Sequence, residues 1–107
     1  VGSPYSHPEQ HVMQRRYEMV LRYCAEQVQQ GILLYSPIVN NHWINKHLGE
    51  DGSWETWRAH DMEMLRKCEA LHVLQLPDWQ RSKGLTAEIK AANMMDLPIV
   101  YVDCSRE

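Results

Sequence analysis

The sequence predicts an α/β fold in which helices cover both faces of a small parallel sheet, a three-layer α/β/α arrangement of the Rossmann or flavodoxin kind. Helical and strand-like segments alternate along the chain, which is the pattern of parallel βαβ units. The strand-like segments are short, continuous apolar runs, as in strands that are buried on both faces. The 107 residues suit one domain, residues 1–107, with a single core.

The first predicted element is the end of a strand, and a helix follows it. The chain begins at Val1-Gly2-Ser3-Pro4 without an initiator Met, and we expect upstream residues to complete this first strand. From residue 8 to residue 30, apolar side chains recur at the 3.6-residue spacing of a helix, and Gly31 is suited to end it.

The rest of the chain continues the alternation. Residues 32–35 form a short apolar run that predicts a buried strand, whereas residues 36–53 are rich in Asn, His and Gly and predict a loop. A helical pattern covers residues 54–70. It is followed by a predicted strand at residues 71–76, a helix at residues 85–95 and a strand at residues 99–102.

Ligands of such sheets bind beyond the carboxyl ends of the strands. Three segments should therefore meet at one edge, namely residues 2–7, 36–47 and 77–84. Trp43, Trp54 and Trp79 lie in or beside these segments, as candidates either for stacking on a nucleobase or for a lid or subunit contact.

The overall composition restricts the partners. A net charge of −3 argues against binding to a nucleic acid polymer, which needs a basic face, but allows a small anionic ligand. No apolar stretch approaches the length of a membrane span, and we expect no signal peptide. Three cysteines without a C-x-x-C pair favour a cytoplasmic location. The histidines lack metal-ligand spacing, so we expect neither a metal site nor a cofactor.

Glu88 stands among apolar residues in the first turns of the last predicted helix. A capping box does not explain it, because neither Ser82 nor Thr86 precedes it by three residues. It either complements the helix dipole or uses the same field to stay ionised as a carboxylate nucleophile.

Asp61 lies inside the apolar stripe of the middle helix, at helical spacing from Trp57 and Leu65. An unpaired buried carboxylate is unfavourable. Asp61 therefore either lies at the edge of the stripe, where it reaches solvent or pairs with an arginine, or it has a function. Two carboxylates on separate elements are suited to glycosidic bond chemistry, in which one attacks the anomeric carbon and the other manages protons.

Ser82 and Gly84 offer a hydroxyl and backbone N–H groups at a helix start, which could cradle an anion or simply cap the helix. His42, at the predicted ligand edge, either contacts a base or ribose or is a solvated loop residue.

The motif at Gly2-Ser3-Pro4-Tyr5 resembles the opening motif of the nucleoside 2-deoxyribosyltransferase-like superfamily. The stretches "SPYSHP", "SPIVNNH" and "LPDWQRSKGLTAEI" are similar to an uncharacterised phage and bacterial branch of it. The order of the later positions also matches, with Asp61 in a middle helix, then an apolar strand, then the loop and helix that carry Ser82, Gly84 and Glu88.

This resemblance implies a role for each matched position. Glu88 would be the nucleophile that takes the ribosyl or deoxyribosyl group, and Asp61 would assist protonation of the leaving base or orient the sugar. Gly2, Ser3 and Tyr5 would line the sugar and base pocket.

The residue at position 82 indicates whether the ligand carries a 5′-phosphate. Family members that act on free nucleosides tend to carry Asp there, whereas those that hydrolyse nucleoside monophosphates tend to carry Ser. Ser82, beside Arg81 and Lys83, therefore favours a ligand with a 5′-phosphate.

The sequence thus leads to the hypothesis of an enzyme for N-glycosidic bond cleavage or transfer on a nucleoside 5′-monophosphate or nucleoside. The alternative is a nucleotide-binding or sensing domain without turnover. The resemblance also implies a homo-oligomer.

Overall fold

Four helices surround a two-stranded parallel sheet in the structure, a computed structural model that describes residues 1–48 and 54–104. In chain order the elements are α1 (Gln10–Gln29), α2 (Pro37–Leu48), α3 (Trp54–Arg66), β1 (Leu71–Gln75), a short 3₁₀ turn (Trp79–Arg81), α4 (Lys83–Met94) and β2 (Ile99–Asp103). Within the described residues, no helix is long and apolar enough to cross a membrane.

Strand β1 lies between β2 and the N-terminal residues. It pairs in parallel with β2, so that Leu71 lies opposite Ile99. On its other side Gly2 forms a bridge to Val73, and the Gly2 N–H donates to the His72 carbonyl at 2.7 Å. Gly2 therefore marks the place of the predicted first strand, and it fixes the following loop at the carboxyl end of the sheet.

Two apolar clusters lie on opposite faces of β1. Leu71 and Val73 pack with the helices α3 and α4, whereas Leu74 packs with α1. Burial of both faces explains why Leu71, Val73 and Leu74 are all apolar, whereas the polar residues His72 and Gln75 are only partly buried. The radius of gyration, 13.3 Å, is that of one compact domain of this length, roughly 13 Å. A mixed α/β fold with a small parallel sheet is thus confirmed.

The strand predicted at residues 32–35 is wrong. Leu33 is 99% exposed and Ile32 is 41% exposed, whereas Leu34 packs against the core, so this run is not a strand buried on both faces. The Val1 amino group donates to the Tyr35 carbonyl at 2.7 Å, but among the described residues no strand ladder forms there.

The loop predicted from residue 36 is also wrong, because α2 begins at Pro37. Ser36 caps this helix: its Oγ accepts from the Val39 N–H at 3.3 Å, and its carbonyl accepts from the Asn40 N–H at 2.8 Å. A serine cap followed by proline in the first helical position is a helix-start signal that the Asn-rich composition obscured. Residues 49–53 of the predicted loop lie outside the described part of the chain.

Candidate functional site

A cavity of about 780 Å³ opens at the carboxyl ends of the strands. Its walls come from the loop after Gly2, from one face each of α2 and α3, and from the start of α4. Of the eight residues that the sequence predicts for the site, seven line this cavity: Ser3, Tyr5, His42, Asp61, Ser82, Gly84 and Glu88.

The eighth residue, Gly2, lies against the carboxyl group of Glu88. A Cβ atom at Gly2 would lie 2.6 Å from Glu88 Oε2 and 2.9 Å from the Leu85 side chain. The position therefore requires glycine for space, and Gly2 acts by seating Glu88. By contrast, a Cβ at Gly84 would meet nothing within 4 Å.

Glu88 is protonated at neutral pH. Burial raises the pKa of its carboxyl group to about 8. The Val1 ammonium lowers this pKa and the Asp61 charge raises it, but both effects are smaller than that of burial. Among the described residues its carboxyl group makes no hydrogen bond or ion pair. The expectation that the helix dipole keeps Glu88 ionised is wrong, because Glu88 is the sixth residue of α4 and lies beyond the free N–H groups of the first turn.

Asp61 is held by a hydrogen-bond network. Its Oδ1 accepts from the Tyr35 hydroxyl at 3.1 Å and from Asn41 Nδ2 at 3.0 Å, and His60 Nδ1 lies 3.4 Å from the same oxygen. Burial and the Asp61 charge raise the pKa of Tyr35, which therefore keeps the proton that it donates. Donors from α2 and the segment before it thus stabilise this carboxylate, whose side chain is only 14% exposed.

Tyr5 and His42 form a second polar pair in the cavity wall. The Tyr5 hydroxyl lies 3.1 Å from His42 Nδ1, and the His42 ring stacks on Tyr17 with centroids 4.1 Å apart. Burial, with the nearby Lys46 charge, lowers the pKa of His42, and burial raises the pKa of Tyr5. At neutral pH the pair therefore consists of a neutral imidazole and a neutral phenol.

Arg16 connects two of the loops that border the cavity. It is buried in α1, and its Nη1 donates to the Ser6 carbonyl at 2.9 Å and the Tyr5 carbonyl at 3.3 Å, while Nη2 donates to the Pro77 carbonyl at 3.2 Å. This cation was not identified from the sequence, where nothing separates it from the neighbouring surface arginines.

The start of α4 forms the basic end of the cavity. Ser82 caps the helix, because its Oγ accepts from the Leu85 N–H at 3.2 Å. The capping interpretation is therefore correct, and Ser82 also lines the cavity beside Arg81 and Lys83. Arg58 of α3 lines the same cavity. These cations can balance an anionic ligand near two carboxyl groups.

The hydroxyl group of Ser3 is buried and has no partner in the described part of the chain. Only 8% of the Ser3 residue is exposed. Because buried hydroxyl groups are normally paired, Ser3 is a candidate to contact a ligand or a water molecule in the cavity.

Two of the tryptophans proposed for stacking are not in the cavity wall. Trp43 is 60% exposed under Lys46, and Trp79 packs against Tyr101 with ring centroids 5.8 Å apart. The side chain of Trp54 lies outside the described part of the chain. Trp57, which the sequence assigned to a core stripe, lines the cavity instead.

No group of three His, Cys, Asp or Glu side chains suited to hold a metal ion occurs within residues 1–48 and 54–104. No curated protein matches the chain. A family model described as "Domain of unknown function (DUF1937)" matches residues 1–103. The chain therefore belongs to this DUF1937 family.

Proposed function

We propose that the cavity binds a nucleoside 5′-monophosphate, or a nucleoside, and that Glu88 cleaves its N-glycosidic bond or transfers its glycosyl group. The observation that carries this proposal is the position of Glu88 and Asp61, which come from α4 and α3 and line one cavity. Paired carboxyl groups on separate elements are the equipment of glycosidic bond cleavage.

The size and charge of the cavity suit such a ligand. Its volume, about 780 Å³, falls in the range of small-molecule sites, roughly 300–1,000 Å³. Ser82, Lys83 and Arg81 stand at the start of α4, where N–H groups and positive charge favour a phosphate. The sugar would then lie between this basic end and the carboxyl groups.

The reaction proceeds in two steps. A Glu88 carboxylate oxygen attacks C1′, the electron pair of the C1′–N bond passes to the base, and the base takes a proton from the Asp61 carboxyl group. Water or a second base then attacks C1′, the bond to Glu88 breaks, and the proton of the attacking group returns to Asp61.

The two steps need only one proton, which Glu88 and Asp61 share. At rest Glu88 carries it, and it must move to Asp61 before the attack. A second cavity of about 20 Å³ is bordered by both residues and has room for one water molecule, which needs roughly 10–15 Å³. Such a water would pass the proton from one carboxyl group to the other.

Several broader assignments belong to the same proposal. The chain would be a member of the nucleoside 2-deoxyribosyltransferase-like superfamily, with a three-layer α/β/α arrangement. It would act in the cytoplasm, in agreement with its free thiols at Cys24, Cys68 and Cys104. It would form a homo-oligomer and would need no cofactor.

The second candidate is a nucleotide-binding or sensing domain that does not turn its ligand over. The raised pKa of Glu88 favours it, because a protonated carboxyl group is not a nucleophile at neutral pH. It predicts binding without release of base at any pH.

The two candidates are separated by incubating the protein with a panel of nucleoside monophosphates and nucleosides at several pH values and measuring free base by chromatography. The enzyme releases base, and Glu88→Ala abolishes release while binding persists. Binding by the wild-type protein without release at any pH would support the sensing domain. Absence of binding would contradict both.

A further inference from the structure

Two side-chain hydrogen bonds join α2 to α3 along the cavity wall. Asn41 Nδ2 donates to Asp61 Oδ1 at 3.0 Å, and Trp57 Nε1 donates to Asn45 Oδ1 at 2.8 Å. From the first bond to the second, the residue number increases by four in α2 and decreases by four in α3. The two helices therefore run in opposite directions. The Asn45–Trp57 bond lies one turn from the Asn41–Asp61 bond, roughly 6 Å along the helix.

The Trp57 ring is held in place on two sides. Asn45 fixes its indole nitrogen, and the His60 ring meets it edge-on at 88°, with centroids 5.5 Å apart. Trp57 is partly buried and lines the cavity on the same face of α3 as Asp61, one turn away. A ring that is already ordered loses little conformational freedom when a planar ligand stacks on it.

Asn45 also lines the cavity. Its Oδ1 is occupied by Trp57, which leaves the two N–H groups of its amide to donate. A planar ring on Trp57 that carries a carbonyl oxygen or an unprotonated ring nitrogen at its edge could accept from this amide. Nucleobases are rings of this class.

We propose that Trp57, held by Asn45, is the platform on which the base of the ligand stacks. The inference rests on the proposed function and orders the ligand within the cavity. The base lies on the α2–α3 wall, the sugar lies one helical turn away beside Asp61 and Glu88, and the phosphate lies at the start of α4. Trp57 and Asn45 then determine which ring the site accepts.

The test compares a nucleoside 5′-monophosphate with ribose 5-phosphate, which has the same sugar and phosphate but no base. Binding is measured by calorimetry in the Glu88→Gln background, which prevents turnover. Trp57→Leu should weaken nucleotide binding by roughly 5- to 100-fold, the effect of removing one base–aromatic stack, and leave ribose 5-phosphate binding unchanged. Trp43→Leu, at an exposed tryptophan outside the cavity wall, should change neither.

Asn45→Ala provides a second test that leaves the ring in place. It should weaken nucleotide binding less than Trp57→Leu does, and it should leave the binding of ribose 5-phosphate unchanged. If Trp57→Leu does not fold, Asn45→Ala tests the proposed base platform in its place. If the substitutions weakened the binding of both ligands equally, Trp57 and Asn45 would only link the two helices, and the inference would be overturned. It would also be overturned if the binding of neither ligand were weakened. If the parent protein binds neither ligand, the proposed function itself fails.

Discussion

Gly2 lies directly against the Glu88 carboxyl group, so that a Cβ atom at Gly2 would lie 2.6 Å from Glu88 Oε2. The backbone of one residue thus sets the position of the carboxyl group of the other. Because Gly2 is also fixed to β1 by its bridge to Val73, it helps to align the proposed nucleophile with the sheet, together with the packing of α4 on β1.

Gly2→Ala should therefore displace the Glu88 carboxyl group. We expect overpacking to destabilise the fold by about 1–3 kcal/mol and the release of base to fall by at least about tenfold, since a small misplacement of a reacting group has a large effect. Thermal unfolding and base release measure the two effects. Unchanged release by a folded Gly2→Ala protein would contradict the seating role.

The buried Glu88 carboxyl group should make stability depend on pH. Its pKa is raised from the ordinary 4.5 to about 8 in the folded protein, so its favourable effect is complete below pH 4.5 and is lost as pH rises through 8. The wild-type free energy of unfolding should fall across this window by a few kcal/mol relative to Glu88→Gln, which carries no titrating group there. Denaturant titrations of both proteins at pH 5, 7 and 9 measure it, and parallel curves would contradict the raised pKa.

Ser82 has two roles that substitutions can separate. Ser82→Ala removes the cap on the Leu85 N–H and should destabilise the protein by about 0.5–2 kcal/mol. Ser82→Asp retains a good helix cap but places a carboxylate beside the phosphate. It should keep stability, weaken binding of nucleoside monophosphates and leave free nucleosides less affected. If Ser82→Asp changed the affinity for both ligands by the same factor, or changed neither, the phosphate would have to lie elsewhere.

The hydrogen bonds to Asp61 should contribute both to the stability of the fold and to the release of base. Asn41→Ala removes a buried hydrogen bond to a carboxylate and should destabilise the fold by about 1.5–3 kcal/mol, with a loss of base release. His60→Gln is the matched control on the same oxygen for the free energy of unfolding alone, because the His60 ring also contacts Trp57. Its contact with Asp61 is longer, 3.4 Å, and its side chain is 45% exposed, so we expect a much smaller effect. Equal effects of the two substitutions would contradict this ranking.

Much of the fold follows from periodicity. Helices α1, α3 and α4 occur within a few residues of their predicted positions because each carries an apolar stripe, and both strands occur where the sequence has short, mostly apolar runs. The prediction that β2 is buried on both faces is wrong, because Val100 is 45% exposed and Tyr101 is 49% exposed. Helix α2 does not follow, because its burial depends on polar contacts. Asn41 is its buried residue, and it bonds to Asp61 twenty positions later in the chain.

The site was predictable where a motif carried it and not where it depends on partners. The residues of the two short motifs, from Ser3 to Tyr5 and from Ser82 to Glu88, meet in one cavity. The protonation state of Glu88 was not predictable, because it depends on burial against Gly2. Tyr35 and Arg16 were missed because their hydrogen bonds join distant segments that no local pattern connects.

The most direct measurement is the intact mass of the protein after rapid mixing with a nucleoside monophosphate and quenching in acid. A pentosyl phosphate adduct that maps to the peptide containing Glu88, is lost in Glu88→Gln and precedes or accompanies the release of base is the predicted result. Base release that continues in Glu88→Gln, with no adduct in either protein, would contradict the role of Glu88 as nucleophile.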